Sequence, residues 1–245
     1  MTGMTAHALA EPERHVVATA WAFRYRVELD AALRFARLGE HLETLAAPEP
    51  LVALARRAAR DEQRHAALCE ELALAYGHLA LPEPPTAVEE VAPVGLTLRQ
   101  QVLYELVAAC CITETESAAV LTTLNAAGTT PRVREVLRDL LRDEVAHSRL
   151  GWAYLAREHE AGAVAWLERH IPFMLAGSIS PTLFAPGTPA EESPVLLRHG
   201  VLPHAHKRDT FVRTLEEVVF PGLERFGVPT APARQWLAQR RTASA

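Results

Sequence analysis

The sequence predicts an all-α fold, an antiparallel four-helix bundle followed by additional C-terminal helices. Ala, Leu, Glu and Arg dominate the 245 residues, whereas aromatic residues make up only 6%. That composition favours helices over strands. Four long segments repeat apolar residues at spacings of three and four, which is the pattern of one buried helix face. Short breaks separate the first segment from the second and the third from the fourth, so each pair should run antiparallel.

The chain divides into three predicted parts. Residues 1–12 form a flexible N-terminal tail, because no periodic apolar pattern begins there. Residues 13–160 contain the four helical segments and therefore the bundle. Residues 161–245 form a helical and loop extension packed on the bundle.

The first two helices are predicted at 13–46 and 51–79. The break between them, at 47–50, contains Pro48 and Pro50, which interrupt a helical pattern. Each helix carries acidic or imidazole side chains within its apolar stripe rather than on its polar face. These side chains are Glu28, Glu62 and His65.

The other two helices follow a Pro-rich acidic linker at 81–93. Thr97 and Gln100 have the spacing of a capping box, which places the start of the third helix. Thr130 is predicted to cap the fourth helix, with Pro131 at its first position and its end near residue 160. The polar residues within these two apolar stripes are Glu114, Glu144 and His147.

The pattern weakens after residue 160. A short helix is predicted at 162–177, mostly loop at 178–206, a helix at 208–225 and a final turn or two at 230–241. This extension could cover one end of the bundle, shape a substrate entrance or form a homodimer contact.

The motif Arg-Asp-Glu-x-x-His occurs twice, at Arg60–His65 and at Arg142–His147. Residues three apart share a helix face, so each motif directs a carboxylate and an imidazole to one point. A Glu in phase with the stripe precedes the motif Glu by 34 residues in the first half and by 30 in the second. The sequence is thus an internal repeat of Glu followed by Glu-x-x-His. Glu116 lies about 200° round the helix from Glu114 and should not reach the same point.

Buried carboxylates of this kind need a positive partner, because an unpaired one costs several kcal/mol. No Lys or Arg lies in the same stripes, but two divalent cations would balance four carboxylates. Carboxylates with imidazoles suit iron or manganese. In the symmetric arrangement Glu62 and Glu144 would bridge two metals. Each metal would add one His and one terminal Glu, the latter being Glu28 or Glu114.

Asp61 and Asp143 precede the motif glutamates directly. A metal-bound His usually donates its second N–H to a carboxylate or a carbonyl. We therefore expect Asp61 to bond His147 and Asp143 to bond His65, across the bundle. The alternative is that both are surface aspartates beside an Arg.

Three further side chains should line the site: Tyr25, Cys69 and Cys110. Tyr25 could act as an electron relay, although a core Tyr has the same pattern. A buried Cys usually behaves as a small hydrophobe, with a redox role as the alternative. Cys111 should lie off this face. A loose histidine cluster in the late loop could form a second metal site or remain solvated; it consists of His199, His204 and His206.

The set Glu28, Glu62-x-x-His65, Glu114 and Glu144-x-x-His147 resembles the ferritin-like di-iron carboxylate superfamily over residues 13–160. That group includes bacterioferritin, rubrerythrin, the ribonucleotide reductase small subunit and bacterial multicomponent monooxygenases. The resemblance implies two iron ions, with manganese or a mixed Mn/Fe pair as alternatives, and chemistry with O2 or peroxide.

Three functions follow as hypotheses. The first is an oxygenase or oxidase of a small organic molecule, with electrons available from an external donor; the long C-terminal extension favours it. The second is a ferroxidase or peroxide-scavenging protein, although the chain has no C-x-x-C iron site of the rubrerythrin type. The third is a non-catalytic helical interaction module, which would leave the complete ligand set unexplained.

Composition also bears on partners and compartment. A formal net charge of −5 does not indicate nucleic-acid binding. No apolar run reaches the ~18 residues typical of a membrane span, and the N-terminus has no secretory pattern. Three Cys, two of them adjacent, indicate a reducing compartment rather than a disulfide framework. We expect a cytoplasmic protein.

Overall fold

The computed structural model of the chain describes residues 9–78, 80–162 and 164–242, which contain helices and turns but no strand. The all-α prediction is confirmed for these residues. Most of the predicted N-terminal tail, residues 1–8, lies outside the described residues. The first helix already begins at Glu11, inside the predicted 1–12 tail, with a Pro in its first turn.

The first helical pair consists of α1 (Glu11–Thr44) and α2 (Glu49–Ala75), which pack against each other along their length. α2 ends earlier than predicted. Gly77 adopts φ +92°, a left-handed conformation that ends helices and that glycine adopts without strain.

The second pair begins with one continuous helix, Leu98–Ala126, built from three parts. These are α3 (Leu98–Leu106), a π segment (Val107–Glu114) and α4 (Thr115–Ala126). The capping box is confirmed, since Thr97 and Gln100 exchange side-chain to backbone hydrogen bonds. The π segment was not predicted, because its apolar residues have the same spacing as those of an ordinary α-helix.

The fourth long helix is α5 (Pro131–Glu160), with the bounds that the sequence predicts. Thr130 stands at its N-cap position, but its side chain makes no capping hydrogen bond, so that prediction is wrong. Arg134 continues the helix by donating its backbone N–H to the Thr130 carbonyl.

Short helices make up the C-terminal extension: α6 (Ile171–Gly177), α7 (His204–Thr214), α8 (Phe220–Arg225) and α9 (Ala231–Thr242). A second π segment, Leu215–Val219, joins α7 to α8. The extension contacts the bundle, since α6 packs against the first π segment and α7 packs against α4. The indole of Trp21 in α1 also donates to the carbonyl of His199 at 3.0 Å.

The bundle core has two apolar clusters with polar residues between them. Along α1 one cluster contains Trp21 and the other contains Phe35, with Glu28 in between. Along α5 the order is the same: Leu137, before Glu144, belongs to the Trp21 cluster, and Tyr154, after it, belongs to the Phe35 cluster. The polar residues therefore lie at one level across the bundle, shielded by apolar side chains above and below.

The helix Leu98–Ala126 is also the one described helix that is long and apolar enough to cross a membrane, with a mean hydropathy of 1.2 in its best window. Length and composition alone do not separate a membrane span from the core helix of a bundle.

Candidate metal centre

Six buried side chains from the four long helices meet at this level. Three of them have no exposed surface: Glu62, His65 and His147. The other three are at most 8% exposed: Glu28, Glu114 and Glu144. Every side chain that the repeat predicts as a metal ligand thus lies in the polar layer.

These side chains form two overlapping groups. In the first, ligand atoms of Glu28, Glu62, His65 and Glu144 all lie within 4.8 Å of one another. In the second, Glu62, Glu114, Glu144 and His147 meet the same limit. Glu62 and Glu144 belong to both groups. Each group can hold a metal ion.

Both imidazole rings present Nδ1 to the carboxylates. His65 Nδ1 lies 3.1 Å from Oε2 of Glu62 and 3.6 Å from Oε1 of Glu144. His147 Nδ1 lies 3.0 Å from Oε2 of Glu144 and 2.9 Å from Oε1 of Glu62. The latter pair lacks hydrogen-bond geometry, so that buried Glu62 oxygen has no hydrogen-bond partner among the described residues. An unsatisfied carboxylate oxygen in this position is suited to a cation.

The other ring nitrogens point to the aspartates across the bundle. Nε2 of His65 lies 3.3 Å from Oδ2 of Asp143 and can donate a hydrogen bond to it. Nε2 of His147 lies 3.5 Å from Oδ2 of Asp61, too loosely placed to form one. The hydrogen bond between Asp143 and His65 is the one expected from the sequence, whereas Asp61 lies beside His147 as expected but does not form the predicted hydrogen bond.

Arginines cover the outer side of both aspartates. Arg64 reaches each of them, with Nη1 2.9 Å from Oδ1 of Asp61 and Nη2 donating to Oδ2 of Asp143. Arg142 adds two hydrogen bonds to Asp143, both 3.1 Å long. The pKa of Asp143 falls to about 2: burial alone would raise it, but the hydrogen bonds from Arg142 and His65 lower it. Both aspartates are thus buried and both have arginine partners, but only Asp143 also forms a hydrogen bond with an inner imidazole. Arg64 was not singled out from the sequence, although its place in the first motif could have suggested it.

The carboxylates repel one another when no cation is bound. Burial, and then the charge of Glu28, raises the pKa of Glu62 to about 8. Burial, and then the charge of Glu62, raises the pKa of Glu144 to about 7. Burial and the Glu144 charge also raise the pKa of Glu114 well above its usual value. Glu28 differs: burial alone would raise its pKa, but its interactions with His65 and Glu62 outweigh that effect and lower it.

The imidazoles respond in the opposite sense. Burial disfavours their charged forms, yet hydrogen bonds that the rings donate to the surrounding carboxylates, together with the carboxylate charges, raise the pKa of His65 and of His147 to about 11. Protons therefore neutralise the cluster in the absence of a cation. A metal ion would replace them.

The π segment sets the position of Glu114, which is its last residue. α5 passes close beside it at Gly151. A Cβ there would lie 2.5 Å from Cβ of Cys110 and 2.7 Å from the carbonyl oxygen of Leu106. Only glycine permits this close approach, which brings Glu114 and Glu144 together.

The two predicted site cysteines are fully buried. Burial raises the pKa of both thiols. The charge of Glu28 raises the pKa of Cys69 further, and the charge of Glu114 raises that of Cys110, so both thiols interact electrostatically with the cluster. Burial alone accounts for the raised pKa of Cys111, in keeping with its place off the site face. Tyr25 is half-buried in the apolar cluster around Trp21, and a relay role for it stays a prediction.

The late histidines form no group of three or more metal-ligand side chains in the part of the chain described. Nδ1 of His199 instead lies 2.8 Å from the Tyr76 hydroxyl. Nε2 of His204 lies 2.9 Å from the Ala185 carbonyl oxygen.

Arg24 is a residue that sequence reasoning missed. Its guanidinium lies over the Trp21 ring at 4.6 Å and donates to the Gly200 carbonyl at 2.9 Å. It interacts electrostatically with Glu28 and with the half-buried Glu116. Glu116 is in neither group of ligand atoms. The spacing of four residues between Arg24 and Glu28 is the signal that could have identified this neighbour.

Comparison with known proteins adds no assignment. No protein-family model matches the chain, and a search of curated proteins finds no match.

Proposed function

We propose that this chain is a ferritin-like di-iron carboxylate oxidoreductase that uses O2 to oxidise a small organic substrate. The observation that carries the proposal is the pair of overlapping donor groups sharing Glu62 and Glu144. A single cation site would not need six inward ligands from four helices.

The donor chemistry supports iron. Four carboxylates balance two divalent cations, and hard oxygen donors with imidazole suit iron or manganese more than the thiolate-preferring metals. When bound, a pair of ferrous ions would supply the electrons that activate O2.

The protein's own groups would prepare the site for that chemistry. His65 and His147 direct Nδ1 inward, and Asp143 holds the opposite nitrogen of His65 in place. Such partners fix the tautomer and the orientation of a ligand imidazole. The apolar clusters on both sides exclude bulk water from the polar layer.

An oxygenase or oxidase is preferred to an iron-handling protein because helices of the C-terminal extension contact the segments that carry and flank Glu114. Such a cover suits controlled access by one organic substrate better than continuous passage of iron. Ferroxidase or peroxide-scavenging activity is the second candidate, and both require the same centre.

The test is anaerobic loading with ferrous iron, metal analysis, and then stopped-flow absorbance on mixing with O2. About two irons per chain and a transient visible band, without further iron uptake, are the expected results. Oxidation of many irons per chain would instead indicate iron handling. Protein that retains no metal, iron or manganese, would refute the proposal and leave a helical interaction module.

A further inference from the structure

A cavity of about 450 Å³ lies within the C-terminal extension and shares no residue with the Glu/His cluster. Its wall is formed by α7, by the second π segment, by the end of α9 and by the loop that carries Phe184. Small-molecule sites usually have volumes of about 300–1,000 Å³, so the space is sufficient for a compact organic ligand. We call it the arginine cavity.

The charges around this cavity are unequal. Three guanidinium groups line it, from Arg208, Arg213 and Arg241, together with the carboxylates of Asp209 and Glu216. Each carboxylate already has an arginine partner: Arg208 Nε lies 3.4 Å from Asp209 Oδ1, and Arg241 Nη1 lies 3.0 Å from Glu216 Oε1. Arg213 is exposed and has no ion pair within the described residues. One positive charge is thus left for a ligand.

The rest of the wall is apolar. Phe184 and Val212 line the same space. Phe184 is held in place by edge-on contacts with Phe211 and Trp236, at ring-centroid distances of 6.3 and 6.4 Å. A fixed aromatic side chain beside a guanidinium suits a ligand with an apolar body and an anionic end.

We infer that the arginine cavity binds a small organic anion, with its oxyanion group on Arg213 and its apolar part against Phe184. The guanidinium group pairs with planar carboxylates through two parallel hydrogen bonds, and it accepts other oxyanions in a similar way. The inference is independent of any metal, because the cavity and the Glu/His cluster have no residue in common.

The test is calorimetric titration of the full chain with three probes: 2-naphthoate, the matched neutral alcohol 2-naphthalenemethanol, and acetate. We expect saturable binding of one naphthoate per chain, and at least tenfold weaker binding of the alcohol and of acetate. Equal binding of naphthoate and the alcohol would overturn the inference, as would no saturable naphthoate binding.

Two variants locate the site. Arg213→Gln should weaken naphthoate binding about tenfold, as expected for loss of one charge-assisted hydrogen-bonding group. Arg225→Gln, on the neighbouring α8, removes another exposed charge that does not line the cavity and should leave the affinity unchanged. Circular dichroism verifies that both variants fold. An unchanged affinity in Arg213→Gln, or an equal loss in both variants, would refute the assignment.

Discussion

Replacement of Gly151 by alanine tests whether close approach of α5 to the first π segment shapes the site. The new Cβ would lie 2.5 Å from Cβ of Cys110, 2.7 Å from the Leu106 carbonyl oxygen and 2.9 Å from Sγ of Cys111. All three distances are below van der Waals contact, and one of the atoms belongs to the backbone. The helices must therefore separate at this point.

The change in the free energy of unfolding of Gly151→Ala follows from two opposing effects. Overpacking a core typically costs about 1–3 kcal/mol, and a contact with backbone belongs near the upper end. Alanine gains about 0.8–1 kcal/mol over glycine in a helix interior. The net loss should be about 2 kcal/mol, which lowers the melting temperature by roughly 4–8 °C in a chain of this size.

The assay is thermal unfolding of metal-free Gly151→Ala beside Gly177→Ala as the matched control. Gly177 ends α6, and a Cβ there would meet nothing within 4 Å. The control should melt at or slightly above the temperature of the parent protein. If Gly151→Ala melts as high as Gly177→Ala, the close-approach explanation is wrong. Gly151→Ala should also bind iron more weakly, because Glu114 is the last residue of the π segment and would move with it.

The remaining predictions concern the cluster itself. Glu114→Ala should remove or unbalance one metal, measured by metal analysis, while helix content by circular dichroism stays the same; Glu116→Ala should leave metal content unchanged. Asp143→Asn should reduce iron affinity less than Glu144→Ala, as followed in competition with a chelator, because it acts only through an imidazole and arginines. Metal loading at neutral pH should release protons, since the metal-free imidazoles have a pKa of about 11. The apparent metal affinity should therefore rise with pH. Calorimetric titration in buffers of different ionisation enthalpy measures the protons released.

Each of these has a contrary result. Metal loss in Glu116→Ala equal to that in Glu114→Ala would show that the phase of the third helix is misassigned. An Asp143→Asn defect as large as that of Glu144→Ala would contradict the indirect role of Asp143. Metal binding that is independent of pH between 6 and 8.5 would contradict the protonated, metal-free cluster.

Local chemistry determined the long helices. A capping box fixes the start of α3 at Leu98, and prolines at the first turns fix α2 and α5. Repeating apolar residues gave the buried face, and a carboxylate or an imidazole within such a stripe must be buried with it. Glu28 and Glu114 could therefore be selected without coordinates, as could both Glu-x-x-His pairs.

The sequence by itself determined the helical pattern and the side chains that face inward, because both follow from the period of a single helix. Tertiary structure alone decided that the π segment ending at Glu114 packs closely against another helix at Gly151, where a side chain would not fit. It also decided that Arg64 reaches Asp143, which lies 79 residues away, and that Phe184 and Arg241 line one cavity. Contacts between distant segments have no local period, so they become visible only when the helices are packed together.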